Sequence, residues 1–351
     1  MNLLVELSEF AEEIMMGSPE ANIRRKPSGS LLNRVLRKLG GVIVLKRNVV
    51  EAMWRRTKGF GVKQALQLLG TARAWRTWKS IRDDPKRWVE GCERFDDAAS
   101  KRFFVEYIKM AFIESVYPLS PCYKLNLKCY NFAYTNLDKV FNKYGLQYLG
   151  EGSYEFTELI NVKGLFTIET FPFFLAESLI ARNYQDDLHN IGPQNDSIFI
   201  DLGAYAGETI AWYAIEASDV DVYAIEPGNV KKLLKENLER EDRMASFLRR
   251  KRVSWKIIDK FISEDVDLSN LGIKFNKNKI FIKSDIEGYE RYALKAFSKV
   301  LQEYRPTLAF AAYHKWDDLL VLPEIILNAN PDYKLYLSGK SSPPDFILFA
   351  K

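Results

Sequence analysis

Cysteine, histidine and long apolar runs are all scarce in this chain of 351 residues, and each scarcity narrows what it can be. The three cysteines (Cys92, Cys122, Cys129) are an odd number without paired spacing. That excludes a disulfide framework and fits a reducing compartment with a thiol-independent mechanism. The longest apolar stretches, over 41–45 and 110–113, fall far short of the roughly 18–20 residues that a membrane span needs. Acids appear early (Glu6, Glu9, Glu12, Glu13), which does not fit a secretory signal. These absences point to a cytoplasmic protein without a transmembrane segment, and leave contact with a membrane surface open. Internal repeats and low-complexity tracts are also lacking.

What is present describes a globular chain. Hydrophobic residues make up 47%, aromatics 13% and charged residues 28%, so one large core or two modest ones can be buried. The net charge of +5 hides an asymmetry. Residues 1–150 carry 26 basic and 15 acidic side chains, and the remainder carries 25 and 31. A basic half could meet nucleic acid, an anionic membrane or an acidic glycan. The bases are spread out, with only short clusters such as Arg24-Arg25-Lys26 and Arg55-Arg56, so solvated helix faces are the better reading. No RNA-binding motif accompanies them, which disfavours nucleic acid as a partner.

Three regions follow from the patterning. Residues 1–150 read as mainly helical, with Leu3, Leu4, Leu7, Phe10, Ala11 and Ile14 at helix spacing and a linker over 18–30. Further helices are expected over 30–39, 62–69, 72–81 and 97–116, with Asp84-Pro85 opening another. Trp54, Trp75, Trp78 and Trp88 read as core residues. The signals over 117–153 are mixed and turn-rich. Residues 151–196 read as a connection: two short strands around Lys163-Gly164, then a helix from Thr170 to about Asn183. From 197 to 351 strands and helices alternate. Strands fit 198–202, 220–225, 253–258, 280–284 and 307–313; helices fit 208–216, 229–240, 289–300 and 316–328. Short apolar strands between amphipathic helices indicate an α/β domain, a Rossmann-like parallel sheet covered on both faces. The last two runs, "YKLYLSG" and "DFILFAK", read as a C-terminal antiparallel hairpin appended to it.

Four places carry chemistry. In "IFIDLGAYAGET", Asp201 ends an apolar strand, Gly203 follows, and Gly207 and Glu208 open a helix. Ligands of such sheets bind where strands end, and glycines there admit close backbone approach. The dinucleotide fingerprint G-x-G-x-x-G is absent because Asp201 replaces its first glycine. A carboxylate repels a pyrophosphate and attracts a sulfonium or amino group, which favours an adenosyl amino-acid cofactor over NAD. A plain strand–turn–helix is the bland alternative. Glu226 in "VYAIEPG" ends the second strand, about 20 residues after Gly203, the spacing of a ribose-binding acid. In "IFIKSDIEGYE", Asp285 and Glu287 follow the fourth strand, and Lys283 alternates with Asp285 toward one face; Glu287 could instead serve the next helix's dipole. His314 ends the fifth strand, where an imidazole near neutrality can act as general base. His189, in a polar loop, reads as exposed.

Together "IFIDLGAYAGET", "AIEPG", "FIKSDIEGYERYAL" and "AAYHKWDDLLVLPEIILNANPDYKLYLSG" resemble the FkbM-type S-adenosylmethionine-dependent methyltransferases, over roughly residues 196–351. The resemblance implies a class I methyltransferase sheet and transfer to an oxygen of a sugar, glycan, polyketide or other small-molecule acceptor. It places Asp201, Gly203, Gly207 and Glu208 around an S-adenosyl-L-methionine loop and Glu226 at its ribose, with Asp285, Glu287 and His314 on the acceptor side. Glu208 stands where the family often has aspartate. Asp259 is the only, weak, candidate for an adenine contact. The expected mechanism has His314 as base and Asp285 orienting acceptor or cofactor. A divalent ion on Asp285, Glu287 and His314 is conceivable, but a metal-free site is the reading taken. The rivals are a catalytically inactive Rossmann-like binding protein and an NAD-dependent oxidoreductase. Residues 1–150 match no known pattern, and neither the acceptor nor an oligomeric state follows from the sequence.

Overall fold

The computed structural model describes residues 76–116, 142–154, 157–264, 271–339 and 346–351. The linker and the helices expected before residue 70 lie outside the described residues, as do Trp54 and Trp75. The chain divides into two units: residues 1–127 with 315–320, and residues 128–314 with 321–351.

The described part of the first unit is helical. A helix over 76–83 precedes α1 (Pro85–Glu93) and α2 (Ala98–Val116). Asp84 caps α1 by accepting from the Arg87 N–H at 3.2 Å, and Pro85 occupies the first turn, where a missing N–H costs nothing. Asp97 serves α2 in the same way, accepting from Ala99 and Ser100 N–H at 2.7 and 2.9 Å. Trp78 and Trp88 are buried as core residues; the Trp88 ring meets Phe104 at 5.9 Å and its indole N–H donates to Ser80.

The second unit holds two sheets. The smaller is antiparallel, in the order β1 (Leu146–Glu151), β2 (Glu158–Val162), β3 (Phe166–Thr170). The β2–β3 hairpin turns at Lys163 and Gly164, both at positive φ, as expected. β1 was not anticipated: only Leu146 of its six residues is buried, so no alternation marks it. α3 (Pro172–Ala176) then runs into a π-helical turn, Glu177–Ala181.

The larger sheet has seven strands: β4 (Ser197–Leu202), β5 (Val220–Ile225), β6 (Ser254–Ile258), β7 (Lys279–Ser284), β8 (Thr307–Ala311), β9 (Leu335–Ser338) and β10 (Ile347–Ala350). Their order is β6-β5-β4-β7-β8-β10-β9. The first five are parallel, and β10 runs antiparallel between β8 and β9. The expected hairpin is thus present, with its second strand inserted rather than appended. Between strands lie α4 (Glu208–Glu216), α5 (Val230–Glu239), α6 (Ala245–Arg250), α7 (Glu290–Ala296), α8 (Ser298–Glu303) and α9 (Asp318–Ala329). Every residue of β4 is buried, as the Ile198-Phe199-Ile200 core of a strand with neighbours on both sides requires, and Ser197 and Asp201 are buried with hydrogen-bond or ion-pair partners. The chain leaves β4 toward β5 and later returns to β7 on β4's other side. That reversal opens a crevice at the carboxyl ends of β4 and β7, the place where such sheets hold ligands. No helix among the described residues is long and apolar enough to cross a membrane.

Candidate active site

The turn after β4 is built for close approach. Gly203 adopts φ +76°, and a Cβ on it would lie 1.9 Å from the carbonyl oxygen of Asp285. Only glycine fits there. Its N–H and that of Ala204 donate to the Ile225 carbonyl at 3.0 and 3.3 Å, tying the turn to the end of β5. Gly207, at φ +95°, then caps α4. The smaller sheet braces this turn. Asn237 on α5 donates to the carbonyls of both Glu169 on β3 and Ala206, at 2.7 and 2.9 Å, and accepts from the Glu169 N–H. Residues read from sequence as a connection therefore frame the site.

Asp201 and Glu208 are directed inward. The β4–β7 register sets Asp201 beside Lys283, so their side chains share a face. Asp201 is 0% exposed; its carboxylate lies 3.0 Å from the Lys283 ammonium and also accepts from the Thr209 hydroxyl. Lys283 in turn donates to the Gly203 carbonyl at 2.6 Å, so the ion pair pins the glycine turn. Burial alone would lower the Lys283 pKa; the charges of Asp201 and Asp285 outweigh it and hold the ammonium protonated. The charge expected to attract a sulfonium is already met inside the protein. Glu208, also buried, accepts from the Thr170 hydroxyl at the end of β3, and burial pushes its pKa up to about 7.

Glu226 is placed differently. One of its oxygens accepts from the Tyr205 N–H at 2.8 Å, within the glycine turn, and its other oxygen has no partner among the described residues. Partial burial raises its pKa. Asp259 pairs with Lys231 on the surface.

At the ends of β7 and β8 the structure brings Asp285 and His314 together and adds residues that the sequence reading missed. Asp285 accepts from the hydroxyls of Tyr184 and Tyr313 at 2.7 and 3.2 Å. Lys283 and Asp285 both meet Tyr184, the ammonium 5.3 Å from its ring centroid, so the expected shared face holds. His314 is fixed from behind: its Nδ1 lies 2.9 Å from Glu290, whose side chain is 1% exposed and also accepts from the Ile286 N–H at 2.9 Å. Nε2 faces Asp285 at 3.4 Å and the exposed Glu287 at 3.6 Å. Burial works against the imidazolium, but the hydrogen bond and charge of Glu290, with Asp285 and Glu287, win, and the pKa rises to about 9. At neutral pH His314 is a cation, so the role of resting-state base expected from its ordinary pKa does not fit its surroundings. Asp285, Glu290 and His314 each bring one donor atom within 4.8 Å of the others.

Sequence signals for the added residues are thin. Glu290 and Tyr313 lie in the motifs already noted but carried no spacing cue, and Tyr184 sits in a loop without pattern.

Against solved structures, the chain is similar to the methyltransferase FkbM of Methylobacillus flagellatus, with 19% identity and a TM-score of 0.50, covering 78% of this chain and 60% of that one. The fold is that of a class I methyltransferase. This chain thus spans three fifths of the Methylobacillus protein's length. Weaker likenesses include a precorrin-6y C5,15-methyltransferase of Geobacter metallireducens (15% identity, TM-score 0.32, 45% of this chain and 78% of that one). Another is human N-acetylserotonin methyltransferase, solved with S-adenosylmethionine (11%, 0.30, 51% and 54%). No protein-family model matches the chain, and no curated protein does.

Proposed function

We propose that this protein is an S-adenosylmethionine-dependent methyltransferase that methylates a hydroxyl of a sugar, glycan or other small molecule. The observation that carries the reading is that the carboxyl ends of β4, β5, β7 and β8 bring together a glycine turn with the half-free carboxylate of Glu226 and the Asp285–His314 cluster. The residues present fit the cofactor: Gly203 permits the tight turn that brings the Tyr205 N–H to Glu226, and Glu226 keeps its other oxygen for a ribose hydroxyl. Asp201 contributes indirectly, by holding the turn through Lys283. When bound, S-adenosylmethionine supplies a methyl group already activated on sulfur.

The chain's own residues then manage a proton and a position. An acceptor hydroxyl that took this methyl group would have to lose its proton. Asp285 takes it, because Glu290 holds His314 already protonated. The imidazolium, locked by Glu290, and the hydroxyls of Tyr184 and Tyr313 hold that carboxylate in place.

Calorimetry of the full chain with S-adenosylmethionine, S-adenosylhomocysteine and NAD tests the reading. Binding of the adenosyl ligands without NAD is expected, and silence from both would end it. A labelled-methyl transfer screen over sugars, glycans and polyketides then identifies the acceptor.

A further inference from the structure

The opposite end of the seven-stranded sheet carries a separate cavity of about 570 Å³. Ser197, Lys279 and Thr307, the first residues of β4, β7 and β8, all line it. Six residues of strand, on the order of 20 Å, separate it from the crevice at Asp201 and Asp285. All of its lining residues belong to the second unit.

Its charge is one-sided. Lys279, Arg305, Lys334 and Lys351 line it, and no aspartate or glutamate does. Elsewhere in this unit Lys231, Arg240, Arg243, Arg249, Arg252 and Lys277 each reach a carboxylate, while Arg250, Lys251 and Lys256 donate to carbonyls singly rather than as a cluster. Among the described residues, the four cations of the cavity meet none. Lys279 donates to the Asn195 carbonyl at 3.2 Å, and Lys351 to those of His189 and Asn190 at 3.4 and 3.3 Å. Arg305 donates to the Asp332 carbonyl. The inner wall is polar and ordered: the hydroxyls of Ser197 and Tyr213, both buried, are 3.0 Å apart. Beside them the Tyr336 ring stacks on His189 at 3.6 Å.

Like charges gathered around an open concave site repel one another and concentrate anions, and all four cations here are exposed. Lysines supply movable point charges and arginine a fork, the pairing that recognises phosphate oxygens. We infer that this cavity binds a phosphorylated small molecule, at a site distinct from the proposed cofactor crevice. A soluble ligand, rather than a lipid headgroup, follows from the concavity, since a membrane surface is met by a projecting basic face.

Inorganic pyrophosphate titrated calorimetrically into the full chain should bind saturably and weaken with salt. Lys279→Glu with Lys334→Glu should lower its affinity on the order of tenfold or more. Lys232→Glu with Lys299→Glu, an equal charge change on exposed faces of α5 and α8, should leave it unchanged. Pyrophosphate should also shield Lys334 in the wild-type chain from amine acylation, a readout that needs no variant. Adenosyl-ligand binding should be the same in all variants, so this site can fail without the cofactor site failing. The inference is overturned by absent or unsaturable binding, by equal losses in both double variants, or by binding to anionic phospholipid vesicles without binding to pyrophosphate.

Discussion

Replacing Glu290 by glutamine attacks the group that sets the charge of His314. In the folded protein burial disfavours the imidazolium, yet Glu290, Asp285 and Glu287 carry its pKa from 6.5 to about 9. That difference of roughly 2.5 units corresponds to about 3 kcal/mol. At pH 7 only about one molecule in a hundred holds a neutral imidazole, so a His314 base would add roughly 2.7 kcal/mol to the barrier. The proposed mechanism therefore gives a methyl-transfer rate that is level between pH 6 and 8 and falls above about 9, as the imidazolium is lost. A His314 base gives instead a rate rising about tenfold per pH unit toward 9.

The chain has only two histidines, so imidazole NMR resolves His314 from His189 directly. One resonance should titrate near 9 in the wild type. Glu290→Gln, which can keep the contact to the Ile286 N–H through its amide oxygen, should lower that midpoint by more than one unit. Glu287→Gln should move it little, because Glu287 is 90% exposed and water screens its charge. Stability follows the same linkage. The folded pKa is raised, so the stabilisation is complete below 6.5 and lost as pH rises through about 9. Both histidines titrating below 7.5 in the wild type, or a rate that climbs steadily with pH, would refute the charge assignment.

Three further outcomes are expected. Lys283→Met strands the buried Asp201 charge and releases the Gly203 carbonyl, for a loss of about 3–5 kcal/mol in urea unfolding. Adding Asp201→Asn should restore much of it, and simple additivity would count against the ion pair. Glu208 has a folded pKa near 7, against an ordinary 4.5, so folding favours its protonated form and stability declines as pH rises through that window. Glu208→Gln should then raise the unfolding free energy at pH 8.5 by up to about 3 kcal/mol, and gain little at pH 4.5; a gap independent of pH would disprove it. Gly203→Ala forces a Cβ against the Asp285 carbonyl at positive φ, costing about 1–3 kcal/mol and at least tenfold in S-adenosylhomocysteine affinity. Wild-type affinity in that variant would show that the turn does not touch the cofactor.

The larger sheet was legible because its strands are short apolar blocks between amphipathic helices. β5 and α4 match their expected bounds, and β4, β7 and β8 start within a residue of theirs. Short elements escaped: α6 spans six residues, too few for periodicity, and the helix expected over 289–300 breaks at Phe297 into α7 and α8. At the site, spacing along one chain located strand ends and hence Asp201, Glu226, Asp285 and His314. It carried nothing about register across strands, and register is what turns Asp201 to Lys283 and away from the crevice. Nor could it show that Glu290 reaches back to His314, which decides whether that imidazole arrives charged.

Asp285 explains why these two halves of the site act together. Its N–H donates to the Leu202 carbonyl at 3.0 Å, its carbonyl occupies the space that a Cβ on Gly203 would need, and its carboxylate gathers Tyr184, Tyr313 and His314. The backbone of this one residue thus sets the shape of the cofactor turn, while its side chain sets the charge at the acceptor. A shift of its main chain displaces both. Chemistry there depends on an acceptor oxygen meeting a methyl group in line, and misplacement of about 1 Å costs on the order of a hundredfold in rate. The buried Asp201–Lys283 pair, which fastens the turn packed against Asp285, is therefore a positioning device for methyl transfer as much as a contributor to stability.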